Sequence, residues 1–182
     1  MGVRNPSMKS HTPTIKWCVF SATVAFLTGC SKPAPQDRLV KADSPQQFEQ
    51  WRSDREDWSS QEQQDFDTAI QEIKLDAMTK SAGTMDSREA QMCDVVKGKT
   101  VRAVEILGWH DRRDRLEREK NDMETRLAHD SGLKVREDQT ERAQALASIT
   151  RNEREIIAKN TGLINDVDAK LQGWEGSAVA AK

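Results

Sequence analysis

From residue 44 onward apolar residues recur three and four positions apart, in stretches too long for strands and with polar residues between them. Ser44-Pro45-Gln46-Gln47 supplies an N-cap, a proline at the first helical position and a glutamine three residues after the cap. Phe48, Trp51, Arg55 and Trp58 follow at helical spacing. Ser59-Ser60-Gln61-Glu62 is a second capping box, and Phe66, Ala69, Ile70, Ile73 and Ala77 form the apolar stripe of a helix predicted to end near Gly83. Asp86 and Glu89 open a third helix that carries Met92, Val95 and Val96 and stops around Gly98. Thr100 caps a fourth, running through Val104, Leu107, Trp109, Leu116, Met123 and Leu127 to His129, and Asp130-Ser131-Gly132 makes a turn. A fifth places Leu146, Ile149, Ile156, Leu163, Val167, Leu171 and Trp174 on one stripe, with Asn160-Thr161-Gly162 as a point of bending. The chain after Gly173 is expected to be loose.

The pattern predicts an all-α protein. A short turn between two long helices makes them antiparallel neighbours, and folding about residue 131 sets Leu116 against Leu146 and Ile149, and Leu107 against Ile156. Large apolar residues number seven in residues 95–109 and seven in 156–174, but only seven in the 46 residues of 110–155, of which 23 are charged. The base of the hairpin can therefore be buried by the helices of 44–97, while its tip can bury only the seam between two helices. The expected architecture is a small helical head with a long antiparallel, coiled-coil-like two-helix arm at about 110–155. The arm's length is roughly 30–35 Å at 1.5 Å per residue.

The N-terminus breaks this pattern. Residues 1–16 carry Arg4, Lys9 and Lys16 and no acid, Trp17 to Leu27 is an uncharged apolar run, and Thr28-Gly29-Cys30 follows. A cationic segment, a short apolar segment and small residues in that order make a secretory signal, and the run is shorter than the roughly 20 residues a membrane-spanning helix needs. Leu27-Thr28-Gly29-Cys30 resembles the lipobox of bacterial lipoproteins, a likeness confined to residues 1–31. The resemblance implies cleavage between Gly29 and Cys30 and acylation of Cys30 with a diacylglycerol and an N-acyl chain. Ser31 in place of Asp implies the outer membrane, facing the periplasm. The alternatives are a cleaved signal in which Cys30 is incidental and an anchor that is never cut.

On that reading residues 1–29 are removed, 30–43 hold the lipidated cysteine and a tether, 44–174 form the helical domain and 175–182 a flexible tail. Ser31 to Asp43, with Pro33 and Pro35, would reach up to ~40 Å at about 3.1 Å per residue. Formal charge goes from -2 to -5, because Arg4, Lys9 and Lys16 leave with the signal. Cys18 leaves too, so Cys93 has no intramolecular partner. It is read as a small buried residue beside Met92 and Val95, the alternative being an intermolecular disulfide.

Candidate chemistry fails on missing partners. Gly98-Lys99-Thr100 matches the end of a phosphate-binding loop, but Cys93 stands where that loop needs its first glycine and no strand precedes it. His110-Asp111 resembles the paired ligands of metal phosphohydrolases, yet the processed chain has only His129 besides. His110 and Asp114 alone make a weak site. Arg112, Arg113, Arg115 and Arg118 are interleaved with Asp111, Asp114, Glu117 and Glu119, in pairs such as Asp111–Arg115 and Asp114–Arg118 at i, i+4. With 11 positive and 12 negative residues in 110–155, this is a salt-bridged helix rather than a phosphate track, and nucleic acid is not an expected partner. Gly108 beside Trp109 needs a reason, since glycine inside a helix costs about 1 kcal/mol relative to alanine: close helix packing with Trp109 as core, or a partner groove.

No catalytic, metal or cofactor site is expected. The expected function is that of a membrane-anchored, non-enzymatic structural or protein-interaction module, contacting an envelope protein or a second copy through Trp109, Arg112, Arg115 and Arg118. A lipidated cysteine, a helical body and terminal Lys182 also resemble the murein lipoprotein, which implies attachment to peptidoglycan through Lys182 as an alternative. An uncharacterised periplasmic enzyme ranks last.

Overall fold

The computed structural model describes residues 33–80 and 84–180, with side chains as far as residue 176. The capping signals act where they stand in the sequence. The Ser44 hydroxyl accepts from the Gln47 N–H at 3.2 Å, and Gln47 Oε1 accepts from the Asp43 N–H at 2.8 Å; α1, Pro45–Ser53, begins there. Ser59 and Glu62 exchange bonds, Ser59 N–H to Glu62 Oε2 at 2.8 Å and Glu62 N–H to Ser59 Oγ at 3.2 Å, and open α2, Ser60–Lys80. Gly83, expected to close that helix, lies outside the described residues. Thr84 rather than Asp86 caps α3, Met85–Val96. Gly98 follows with φ of 69°, a left-handed conformation that costs a glycine little. Thr100 caps α4, Val101–Ser131, and α5 spans Thr140–Ala180 without interruption at Gly162. The chain beyond Gly173, expected to be loose, is thus helical to Ala180. Among the described residues no helix is long and apolar enough to cross a membrane, and no strand forms.

Two apolar clusters hold the helices. In the first, Phe48, Trp58, Phe66, Met92, Cys93 and Val96 pack with Val101 and Val104 at the start of α4. Trp51 stands between Phe48, Trp58 and Phe66 with ring centroids 5.7–6.2 Å apart. Cys93 is free and buried, and burial pushes its thiol pKa up. In the second cluster Leu116, Val167 and Leu171 are buried, with Trp109, Leu163 and Trp174 packed on them. α2 runs parallel to α4, because Asp65, Ala69 and Glu72 meet Trp109, Gly108 and Arg115 in turn. A Cβ at Gly108 would fall 2.3 Å from the Ala69 carbonyl oxygen. Glycine is what lets these two backbones touch, so close packing is the answer to the question its presence raised.

α4 and α5 form the antiparallel hairpin, in a different register from the expected one. Leu116 packs with Val167 and Leu171, not with Leu146 and Ile149, and Trp109 meets Trp174. Carried outward, this register brings Ser131 level with Asn152, so that the first twelve residues of α5 extend about 18 Å past the end of α4. Residues 132–139 climb that distance along one flank of α5, where Leu133 and Val135 line a groove with Ala143, Leu146 and Ala147.

The expected tether is docked over its described part. Pro35–Asp37 form a 3-10 turn, and Leu39 makes an isolated antiparallel bridge with Thr100. Val40 N–H donates to the Lys99 carbonyl at 2.8 Å, Gly98 N–H to the Val40 carbonyl at 3.0 Å, and Val101 N–H to the Arg38 carbonyl at 2.9 Å. The last of these satisfies one of the orphan donors at the start of α4. Val40 and Ala42, each 2% exposed, belong to the core.

Candidate functional site

Of the four residues expected to form a partner surface, three are engaged inside the molecule. The Trp109 indole donates to the Asp65 carbonyl at 3.2 Å and meets Trp174 edge to face at 5.8 Å. Lys170 lies over both indoles, 4.3 Å from the Trp109 centroid and 5.4 Å from that of Trp174, while bonding Asp65 Oδ1 at 2.5 Å. Arg112 and Arg115 both turn to Glu72 of α2, which is 5% exposed. Arg115 bonds it with Nε at 2.8 Å and Nη2 at 2.7 Å and reaches Glu119 at 2.7 Å. Burying a carboxylate is expensive unless it is paired. Glu72 therefore draws the guanidinium that local spacing assigned to Asp111, and Arg113 goes to Asp168 and Glu117.

Only Arg118 remains exposed, on a groove of about 410 Å³ between α2 and α4 that Asp111, Glu119 and Asp122 also line. Asp111 has no ion-pair partner among the described residues; burial, with Asp76 adding repulsion, raises its pKa to about 6. His110 pairs with Glu175 at 3.0 Å and His129 with Asp130 at 2.8 Å, well apart along α4. Among the described residues no three His, Cys, Asp or Glu side chains are placed to hold a metal ion. Gly29, Cys30 and Lys182 lie outside the described residues.

The unusual surface is further out. Leu146, Thr150, Glu153, Ile157, Asn160, Ile164, Val167, Leu171 and Trp174, spaced four and three apart, are the buried and half-buried row of α5. It faces Leu116, Met123 and Leu127 of α4 in the manner of a coiled coil. Distally that seam is polar. Glu153 is 7% exposed and Asn160 5%, and neither Glu153 Oε2 nor Asn160 Nδ2 finds a protein hydrogen-bond partner. Two isoleucines sit one row over, Ile149 47% and Ile156 42% exposed.

That row continues at sevenths through Leu163 to Lys170. In the head, Lys170 of this row reaches Asp65 of α2, and Leu163 is half-buried in the second cluster. α2 accompanies α4 only as far as Asp122, which lines the 410 Å³ groove together with Thr79. Beyond that point no described helix lies beside the hairpin.

No protein-family model, curated protein or solved structure matches this chain.

Chemically, the distal hairpin offers an exposed pair of isoleucines with Asn152 and Ala145 beside it. It suits binding by burial of apolar area rather than bond making. Sequence spacing missed it by assigning Ile149 and Ile156 to the α4 seam. The signal that separates the two rows is the unbroken four-three spacing of 146, 150, 153, 157, 160 and 164.

Proposed function

We propose that this chain is a lipid-anchored, non-enzymatic helical module of a bacterial cell envelope that binds a partner protein along its distal hairpin. The observation that carries the reading is the pair Ile149 and Ile156, exposed one heptad apart along the distal part of α5. A helix laid along that row would bury both. Full burial of an isoleucine contributes about 1.5–3 kcal/mol, and these two are already part-covered, so the row would contribute roughly half of that per residue. The polar seam beneath fits the same reading, because a hairpin with Glu153 and Asn160 inside holds together less well than one sealed by leucines. The anchoring half of the proposal is supported by the ordered signal elements before Cys30.

The test is a photoreactive residue at Asn152 in intact cells, with one at Arg118 for comparison. One recurrent protein adduct at Asn152, lost in Ile149→Glu/Ile156→Glu while the circular dichroism of the purified variant is unchanged, is the expected result. Scattered products at Asn152, or a specific adduct only at Arg118, would overturn it.

A further inference from the structure

We propose that the base of the head, where Leu39 and Lys41 project, rests on an anionic bilayer surface and holds the distal hairpin away from it. This deepens the reading above and rests on acylation of Cys30. The docked chain sets the geometry. Arg38 Nε donates to the Pro33 carbonyl at 3.3 Å, the turn at Pro35–Asp37 follows, and Arg38 is clamped by Asp57. Residues 38–40 are hydrogen-bonded to 98–101, and Asp43 pairs with Lys97. Attachment therefore begins at Pro33. Only three residue steps separate Pro33 from Cys30, a span of at most about 11 Å at 3.6 Å per residue, where thirteen free residues would have given several times that reach.

The chemistry of the same segment is two-sided. Val40 and Ala42 point into the core, whereas Leu39 between them and the anchor is 58% exposed and Lys41 points outward with it. Leu39 stands opposite Thr100 in the bridge, and Lys99, the residue before Thr100, is exposed as well. Lys41 and Lys99 take part in none of the ion pairs among the described residues; of the segment's two exposed carboxylates, Asp37 and Asp43, the second is held by Lys97. A projecting leucine with an unpaired lysine two residues on, a few residues from acyl chains, fits an interface of apolar tails under anionic headgroups. Because the anchor fixes a high local concentration, weak contacts of this kind suffice to orient the head. α4 starts at this face, and Ile156 and Ile149 lie about 40–50 Å along it at 1.5 Å per residue.

The experiment uses the acylated full chain in vesicles of phosphatidylethanolamine and phosphatidylglycerol, part of the lipid bearing a headgroup nitroxide. A fluorophore is placed at Lys99→Cys or, separately, at Ser148→Cys; Cys93, 3% exposed, stays unlabelled. The base label is expected to lose more than half its emission and the distal label less than a tenth. Leu39→Glu/Lys41→Glu, both exposed sites that leave the core intact, is expected to cut the base quenching at least twofold. Equal quenching of both labels, quenching of neither in chains that float with the vesicles, or quenching unchanged by the double substitution overturns the proposal. A processed chain whose mass lacks the acyl groups overturns the anchoring reading itself, and this proposal with it.

Discussion

The two halves of the α4–α5 hairpin are built from the same two helices and obey opposite rules. In the proximal half the seam is Leu116, Val167 and Leu171, closed by two tryptophans and backed by α2. In the distal half the seam mixes Thr150, Glu153 and Asn160 with Leu146 and Ile157, while Ile149 and Ile156 are on the outside. A buried leucine is held by apolar transfer and by dozens of dispersion contacts, whereas a buried carboxylate without an aligned donor costs free energy. The proximal half is therefore a folded core in its own right. The distal half is a helical extension propped up by the core and by its own helix propensity. What also separates them is α2, which backs α4 in the proximal half only.

The largest effect that tests this contrast is at Gly108. Its missing Cβ is replaced in space by the Ala69 backbone, at 2.3 Å from the oxygen and 2.4 Å from the Cα. Backbone cannot yield as a side-chain end does, so Gly108→Ala must push α2 off α4. A loss of about 3 kcal/mol is expected from overpacking, read by thermal or denaturant unfolding. The 3 kcal/mol should come from the head, so protection of the amides of 60–80 falls with it. A variant as stable as the parent would show that α2 is not pressed onto α4.

Next in size is a pH effect in the same junction. Glu105 is 2% exposed, and although Arg102 Nη1 is 2.9 Å from Oε2, the pair is not aligned as a hydrogen bond. Burial, with Asp65 and Glu62 adding repulsion against the pull of Arg102 and Lys170, raises its pKa from 4.5 to about 7. Between those values the unfolded chain gives up the proton and the folded chain keeps it, so this group makes stability fall as pH rises from about 4.5 to 7, then level off. Glu105→Gln should remove that slope, leaving stability unchanged at pH 4 and raising it by about 2 kcal/mol at pH 8. Equal destabilisation at both pH values would mean that the charged Glu105–Arg102 pair is net favourable.

How much of this was readable in advance divides along the same line. The caps at Ser44, Ser59 and Thr100 were legible because capping is chemistry between residues three apart, and Gly108 was legible because an internal helical glycine asks for a close neighbour. The hairpin register was not. Ile149, Ile156 and Leu163 are spaced at sevenths like a seam, and the true seam is disguised by its polar members. The choice between two adjacent rows depends on how α4 and α5 meet in the head, which is a tertiary fact. Arg112 and Arg115 escaped for a similar reason: the buried carboxylate of Glu72, some 40 residues away, draws both, taking Arg115 from Asp111 though not from Glu119. The docked segment at 38–43 was hidden by its prolines and by its length, one bridge being too short to produce a strand pattern.

A smaller effect sharpens the distal side. If Glu153 Oε2 and Asn160 Nδ2 are unpaired in solution, Glu153→Leu and Asn160→Leu should each stabilise the hairpin by about 1 kcal/mol. The gain should appear as slower amide exchange across 150–160 with little change in the head. Faster exchange there would show that these groups have partners in solution and that the seam is sealed after all.

The smallest expected effect is the most direct comparison with Gly108. Gly162 is also inside a long helix, but a Cβ there meets nothing within 4 Å. Alanine at that position loses no packing, restricts the unfolded chain and favours the helix, so Gly162→Ala should stabilise by about 0.5–1 kcal/mol. The same substitution on two neighbouring helices thus carries opposite signs, set by whether α2 lies against the site.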